Sequence, residues 1–293
     1  MSWPAVMKNK VPLIIIVLSL LVIGGCSGEK AQNKVLRSMA EFDQAYIPSL
    51  IFANLLKQRE SELALDRLKG EWSGFKGKYY NLELKYGLNI TDKFWKEDFD
   101  RIGSMVVSAE GYVKEKNLPA AYASLAGIRQ VMLEIRHRNG LAYFLDGMVE
   151  FHDAIERLTT FLRSKRKLSD RDKNNLRELF KEAQTSWSKV AGADIAPSLF
   201  GFNSRKVKAI KKKIQNEEKL LAALAAALSG KDIDRMLQAA RDLRPNFIEL
   251  YKAFGEFDPV FKKVIEEKRK NAPRRTTTTT LAAKKKKARK LFR

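Results

Sequence analysis

The chain of 293 residues contains one cysteine, Cys26, and two histidines, His137 and His152. A single cysteine cannot form a disulfide within the chain, so burial of apolar side chains must hold the fold together. The length is sufficient for one large core or two cores of medium size.

Motifs of the common enzyme classes are also missing. The sequence has no glycine-rich phosphate loop, no His-Glu-x-x-His metal site and no nucleophile elbow. Ser186 and Lys189 match the Ser-x-x-Lys pattern, but two residues within a predicted helix do not make a catalytic constellation. These absences predict a protein that binds or supports other molecules and does not catalyse a reaction.

Two histidines and one cysteine limit the metal sites that the chain could form. A di-iron four-helix bundle needs Glu-x-x-His on two helices, and Val149 stands three residues before His152. Covalent c-type haem is excluded because Cys-x-x-Cys-His is absent. We therefore predict no cofactor. The alternative is a periplasmic haem or metal bundle in which His152 is a ligand, paired for b-type haem with Met105 or Met132.

The N-terminal segment has the layout of an export signal. Lys8 and Lys10 precede an apolar run over residues 11 to 23, and Gly24 and Gly25 follow it. The run is shorter than the ~20 apolar residues that a spanning helix needs, which argues against the alternative of an uncleaved membrane anchor.

The stretch Ile23, Gly24, Gly25, Cys26 resembles the lipobox of bacterial lipoproteins. The resemblance implies cleavage after Gly25, a diacylglycerol thioether on Cys26, and a mature chain held at a membrane outside the cytoplasm. Ser27 follows the cysteine, where an Asp usually marks inner-membrane retention in Gram-negative lipoproteins. The resemblance thus favours the periplasmic face of the outer membrane if the source is Gram-negative.

Apolar residues at helical spacing fill the mature chain and predict an all-α fold. After a linker over residues 26 to 32, the pattern gives eight helices, near residues 33–58, 60–86, 92–116, 118–138, 141–165, 170–191, 204–229 and 232–254. Four helices on each side of the Asn139–Gly140 turn predict two tandem antiparallel four-helix units, over residues 33–140 and 141–256. Pro48 and Pro245 fall inside two of the predicted helices, and each is expected to kink or divide its helix.

The two units show signs of an internal duplication. An offset of 115 residues aligns five identical pairs, Trp72 with Trp187, Lys116 with Lys231, Arg129 with Arg244, Glu134 with Glu249 and Gly140 with Gly255. An offset of 109 aligns Glu41, Phe42 and Ala45 with Glu150, Phe151 and Ala154.

Polar residues concentrate around the turn between the two units. Arg136, His137 and Arg138 crowd the end of one predicted helix, and Asp146, Glu150, Asp153 and Arg157 form a stripe on the next. A capped helix end and a solvated face are the ordinary interpretation. The functional alternative is a polar ligand groove formed by Arg129, Arg136, Asp146 and Glu150.

Residues 257–293 form a basic tail of low complexity. From residue 262 onward it has 14 Lys or Arg against two Glu, so we expect it to be disordered and to bind anionic lipid or an anionic envelope polymer. The residues expected to make this contact are Lys284, Lys285, Lys286, Lys287, Arg289, Lys290 and Arg293. An exported lipoprotein meets little nucleic acid, so none is expected as a partner. A protein partner for the helical units is left open.

Overall fold

The fold was analysed in a computed structural model that describes the backbone of residues 12–82 and 92–271 and the side chains of residues 32–82 and 92–271. The described residues form ten helices and no strand, which confirms the predicted all-α class. The helices are α1 (Pro12–Asn54), α2 (Gln58–Tyr79), α3 (Trp95–Lys114), α4 (Leu118–Arg138), α5 (Phe144–Arg163), α6 (Asp170–Gly192), α7 (Pro197–Phe200), α8 (Ser204–Leu228), α9 (Ile233–Lys252) and α10 (Asp258–Asn271).

The long helices pack as two bundles of four. In the first bundle α1 packs on α2 and α4, and α3 packs on α2 and α4. In the second bundle α5 packs on α6 and α9, and α8 packs on α6 and α9. The predicted pair of four-helix units is therefore confirmed. One apolar core continues through both bundles, and they belong to one compact unit that ends at Phe257.

Local sequence signals fix several helix ends. Ser169 and Asp172 form a capping box at the start of α6. The Asn117 side chain accepts a hydrogen bond from the Ala120 backbone N–H at 3.2 Å and caps α4. Gly140 has a φ of +63° in the turn after α4, a conformation that favours glycine.

Pro48 lies inside α1 and Pro245 inside α9, so neither proline divides its helix. Because Pro48 has no N–H, the Gln44 carbonyl lacks its usual helical donor. The backbone N–H of Glu256 donates to that carbonyl at 2.9 Å. The proline thus frees an acceptor that joins α1 to the segment after α9.

Equivalent aromatic pairs occur in the two bundles. Phe42 and Trp72 have ring centroids 5.7 Å apart in the first bundle, and Phe151 and Trp187 are 4.8 Å apart in the second. Each pair joins the first helix of its bundle to the second, as the predicted duplication requires. Gly140 and Gly255 are not equivalent in the same way, since a Cβ on Gly255 would lie 2.9 Å from Ile47 Cγ2.

Residues 258–293 belong to a second unit, of which α10 is the described part. This helix lies within the segment that the sequence assigns to the basic tail. Pro259 suits its first turn, and Val260 and Val264 are four residues apart on one face. The expectation of disorder from residue 257 onward is therefore wrong for residues 258–271, which are helical.

Within the described part of the chain, no helix is both long enough and apolar enough to cross a membrane.

Candidate functional site

The structure places the four residues of the predicted groove in three different environments. Arg136 and Asp146 form a buried ion pair between the bundles. Arg129 lines a cleft between the bundles. Glu150 lies near the surface, where its carboxylate is 2.7 Å from Lys189 Nζ and 3.4 Å from His137 Nε2. Arg129 and Arg136 line one small cavity, and Asp146 and Glu150 line another, so a groove formed by all four residues stays a prediction.

The Arg136–Asp146 pair lies in the interior. Arg136 is only 2% exposed, and its Nε donates to Asp146 Oδ1 at 2.8 Å and Oδ2 at 3.1 Å. A second polar contact lies beside it, in which the Tyr143 hydroxyl donates to Asp43 Oδ2 at 2.7 Å. The Arg136 guanidinium is 4.5 Å from the centroid of the Tyr143 ring. Together these residues connect α1, α4 and α5.

Burial dominates the electrostatics of this network. It raises the pKa of Asp43 to about 6, although the Arg136 charge and the Tyr143 hydrogen bond act in the opposite direction. It also raises the pKa of Asp146, against the attraction of Arg136. The expectation of a solvated face is therefore wrong for Asp146 and Arg136. The turn after α4 brings α5 back against α4 and α1, so the polar residues beside the turn become interior.

A cleft between the bundles brings together residues of α1, α4, α5 and α9. We call it the inter-bundle cleft. Its basic lining residues are Arg129, His152, Arg163, Arg241 and Arg244. Its apolar and aromatic lining residues are Leu50, Ile51, Phe151, Ile155, Phe247, Ile248 and Tyr251, and Tyr122, Glu156 and Thr159 also line it. Its cavity volume is about 90 Å³. A single water needs ~10–15 Å³ by this kind of measure, so the cleft has room for a small molecule.

Arginine side chains determine the electrostatics of this cleft. Arg129 Nη2 is 3.2 Å from Asp153 Oδ1. In the part of the chain that the structure describes, Arg163, Arg241 and Arg244 make no ion pair. Burial and the charges of Arg129 and Arg244 lower the pKa of His152 to about 3, so its imidazole is neutral at pH 7. The imidazole stacks on Phe247 with ring centroids 5.5 Å apart.

The residues considered as metal or haem ligands have the following surroundings. No group of three or more His, Cys, Asp or Glu that could hold a metal ion occurs among the described residues. Glu134 and His137 have the Glu-x-x-His spacing. The Glu134 carboxylate, however, is paired with arginines, since it lies 3.6 Å from Arg101 and 3.7 Å from Arg138. Met105 lies beside Gly127 of α4, and Met132 lines a small buried cavity beside Asp43. The role of His152 as a haem or metal ligand stays a prediction.

Several predicted residues lie outside the description of side chains. The backbone of Gly25 and Cys26 belongs to α1, but their side chains are not described. The tail cations Lys284, Lys285, Lys286, Lys287, Arg289, Lys290 and Arg293 lie beyond residue 271, outside the described residues.

Comparisons with known proteins give no match, whether to family models, to curated proteins or to solved structures.

Sequence reasoning missed residues that the fold makes important. Asp43 and Tyr143 are 100 positions apart in the chain, and nothing in the local pattern connects them. The duplication offset did align Arg129 with Arg244, and both line the inter-bundle cleft. The sequence also singles out Arg129 and His152 for other roles, but nothing in the sequence places them together.

Proposed function

We propose that this chain is an exported lipoprotein that serves as a non-catalytic binding or structural module of the cell envelope. The observation that carries the proposal is the order of Lys8 and Lys10, the apolar run 11 to 23, and Gly24, Gly25 and Cys26. After cleavage, acyl chains on Cys26 would hold the mature protein at a membrane, since each buried methylene adds ~0.8 kcal/mol.

The packing of α1 supports this proposal. Among the residues whose side chains are described, the first buried residue of α1 is Val35. Cleavage before Cys26 therefore leaves the packed part of α1 intact. Nine positions of helix between Cys26 and Val35 span about 14 Å at the ~1.5 Å rise per residue. The acyl anchor would accordingly keep one end of the first bundle close to the lipid surface.

That end is formed by the first packed turn of α1, at Lys34 and Val35, and the adjoining ends of α2 and α3, and we call it the anchor-side end. The Tyr79 hydroxyl at the end of α2 donates to the Lys34 carbonyl at 3.1 Å. The Trp95 Nε1–H at the start of α3 donates to the Tyr79 carbonyl at 2.9 Å. These bonds place both helix ends beside the first packed turn of α1.

Aromatic and cationic side chains lie together on the anchor-side end. Phe94 is 41% exposed, and Lys93 Nζ is 4.8 Å from its ring centroid. Lys76 Nζ is 4.7 Å from the centroid of Tyr80. An anionic bilayer surface attracts each nearby cation by ~1 kcal/mol, and an exposed aromatic ring gains by entering the interface. The surface chemistry therefore suits a bundle held against anionic lipid.

The basic tail adds a second point of attachment in this proposal. Its lysines and arginines would contact anionic lipid or an anionic envelope polymer, while the bundles would offer their surface to a ligand or a protein. In a chain that begins at residue 27, which has neither the apolar run nor an acyl anchor, deletion of residues 276–293 should weaken salt-sensitive binding to anionic vesicles. Binding that is unchanged by the deletion and independent of salt would rule out the role of the tail.

Mass spectrometry of the protein from its own cells tests the anchor. We expect a mature chain that begins at Cys26, carries a diacylglycerol thioether and sediments with membranes, and we expect Cys26→Ala to leave an uncleaved precursor. A wild-type chain that begins at Met1 with a free thiol in the cytosol would overturn the proposal.

A further inference from the structure

We propose that the inter-bundle cleft binds a small organic anion that has an apolar body. The anionic group would lie among the arginines, and the body would pack on the apolar residues of the cleft. This proposal does not depend on the lipid anchor, because it rests on the described residues of the bundles alone.

Positive charge converges on this cleft from three helices. Arg129 comes from α4, Arg163 from α5, and Arg241 and Arg244 from α9. Glu156 is the one acidic residue among the described residues that line the cleft. Like charges that line one cavity repel each other. A bound anion would relieve the repulsion, and guanidinium groups bind carboxylate and phosphate through charge-assisted hydrogen bonds.

Three of these guanidinium groups are available for a ligand. Arg129 is paired with Asp153, whereas Arg163, Arg241 and Arg244 are exposed and make no ion pair within the described part of the chain. Arg241 and Arg244 are three residues apart and share one face of α9. Two adjacent, unpaired guanidinium groups at the edge of a cavity can contact the same anionic group.

The cleft is also lined by apolar side chains. Phe151, Ile155, Phe247 and Ile248 lie beside the arginines and come from the second bundle, and Leu50 and Ile51 come from α1. An inorganic ion would have no apolar part to contact these side chains. Apolar contact together with a few polar groups is typical of sites for small organic molecules. The volume of about 90 Å³ limits the body to roughly the size of one aromatic ring or a short acyl chain.

His152 gives the cleft a neutral polar group beside its charged ones. The imidazole lines the cavity and lies against Phe247. A neutral imidazole has one N–H donor and one acceptor nitrogen, so it can contact the ligand without competing with the arginines for charge. It also serves as a reporter, because the chain has only one other histidine, His137.

The experiment uses full-length chain in phosphatidylcholine nanodiscs, labelled with ¹³C and ¹⁵N in histidine alone. The probes are benzoate and phenyl phosphate, which share an anionic group on an aromatic ring, and benzyl alcohol as the neutral control. Benzoate or phenyl phosphate should shift the His152 signals in a saturable way and leave His137, which lies outside the cleft, unmoved. The anion that binds more tightly identifies the preferred head group, and benzyl alcohol should bind about tenfold more weakly or not at all.

Matched variants show whether the arginines are responsible. Arg241→Gln and Arg244→Gln should each weaken binding about tenfold, while Arg235→Gln, on the same helix but outside the cleft, should leave it unchanged. All three arginines are exposed, so the variants should remain folded by circular dichroism. The proposal is wrong if neither anion shifts His152, if benzyl alcohol binds as tightly as benzoate, or if Arg235→Gln weakens binding as much as Arg244→Gln. None of these results bears on the acylation of Cys26.

Discussion

Arg136 Nε lies 2.8 Å from Asp146 Oδ1 inside the folded chain. This pair joins α4, the last helix of the first bundle, to α5, the first helix of the second. Asp43 of α1 also interacts with the Arg136 charge. The junction of the bundles thus contains one buried cation and two buried carboxyl groups, which makes its stability sensitive to the loss of any one partner.

Arg136→Met should lower the free energy of unfolding by about 3–5 kcal/mol, because it leaves buried carboxylates without their cation. Urea denaturation followed by circular dichroism measures the change. The control is Arg157→Met, since Arg157 pairs with Glu182 and both side chains are more than half exposed. Its loss should cost less than about 1 kcal/mol.

Replacing both partners distinguishes a buried pair from simple loss of packing. The double variant Arg136→Met with Asp146→Leu should recover much of the lost stability, because no unpaired carboxylate remains at Asp146. If the losses in the free energy of unfolding of the two single variants instead add fully in the double variant, Arg136 does not stabilise the fold through its ion pair with Asp146.

Glu217 should make stability depend on pH. It is fully buried on α8, receives a hydrogen bond from the Asn246 side-chain amide of α9, and has a pKa raised to about 7 by burial. Its unfolded pKa is near 4.5, so the folded state holds the proton more tightly. The contribution of Glu217 to stability is then fully present below pH 4.5 and is lost as the pH rises from 4.5 to 7.

Glu217→Met should therefore stabilise the chain by about 1–3 kcal/mol at pH 8 and have a smaller effect at pH 5. Asn246 keeps a partner in the variant, because its side-chain amide also donates to the Lys213 carbonyl at 2.9 Å. Urea denaturation at both pH values is the measurement, with the exposed neighbour Glu218→Met as control. A gain that is equal at pH 5 and pH 8 would contradict the assigned titration.

The orientation of the first bundle can be tested with a single introduced thiol. Once Cys26 is acylated the mature chain has no other cysteine, so Phe94→Cys or Tyr112→Cys provides the only site for a fluorescent label. Both residues are exposed, at 41% and 37%. They lie at opposite ends of α3, ~27 Å apart by helical rise.

In anionic vesicles, a spin-labelled lipid should quench the label at position 94 several-fold more strongly than the label at position 112. The expectation follows from the position of Phe94 on the anchor-side end, beside Lys93. Higher salt should reduce the difference, because it screens attraction between exposed lysines and lipid. Equal quenching at the two positions would show that the anchor-side end does not face the membrane.

The alternative role of His152 has its own measurement. Titration of the chain with haem should give no new visible absorption band if the cleft binds organic anions and not haem. A band that appears for the wild type and disappears in His152→Gln, but not in His137→Gln, would establish haem ligation and replace the function proposed above.

Much of the fold could be predicted from the sequence. Apolar spacing predicted eight long helices, and six of them, α3 to α6, α8 and α9, agree with the structure to within three residues at each end. The other two differ, because α1 begins at Pro12, so that the linker predicted over residues 26 to 32 is helical, and α2 ends at Tyr79. Gly140 marked the end of α4 correctly, because such a signal acts within one or two turns of chain. The helix at Asp258–Asn271 was obscured by its lysines and arginines, which dominate the composition of that segment. Pro48 stays within a helix because the Gln44 carbonyl finds a donor from a distant part of the chain.

The sequence by itself determined the helical class and the division into two groups of four helices. Only the tertiary structure decided the environment of each polar residue. Arg136, Asp146 and Glu150 look alike in a sequence pattern, yet two are buried together and one lies near the surface, because burial depends on how α5 packs against α1 and α4. The inter-bundle cleft likewise depends on the tertiary structure, because its arginines come together only when the two bundles pack against each other.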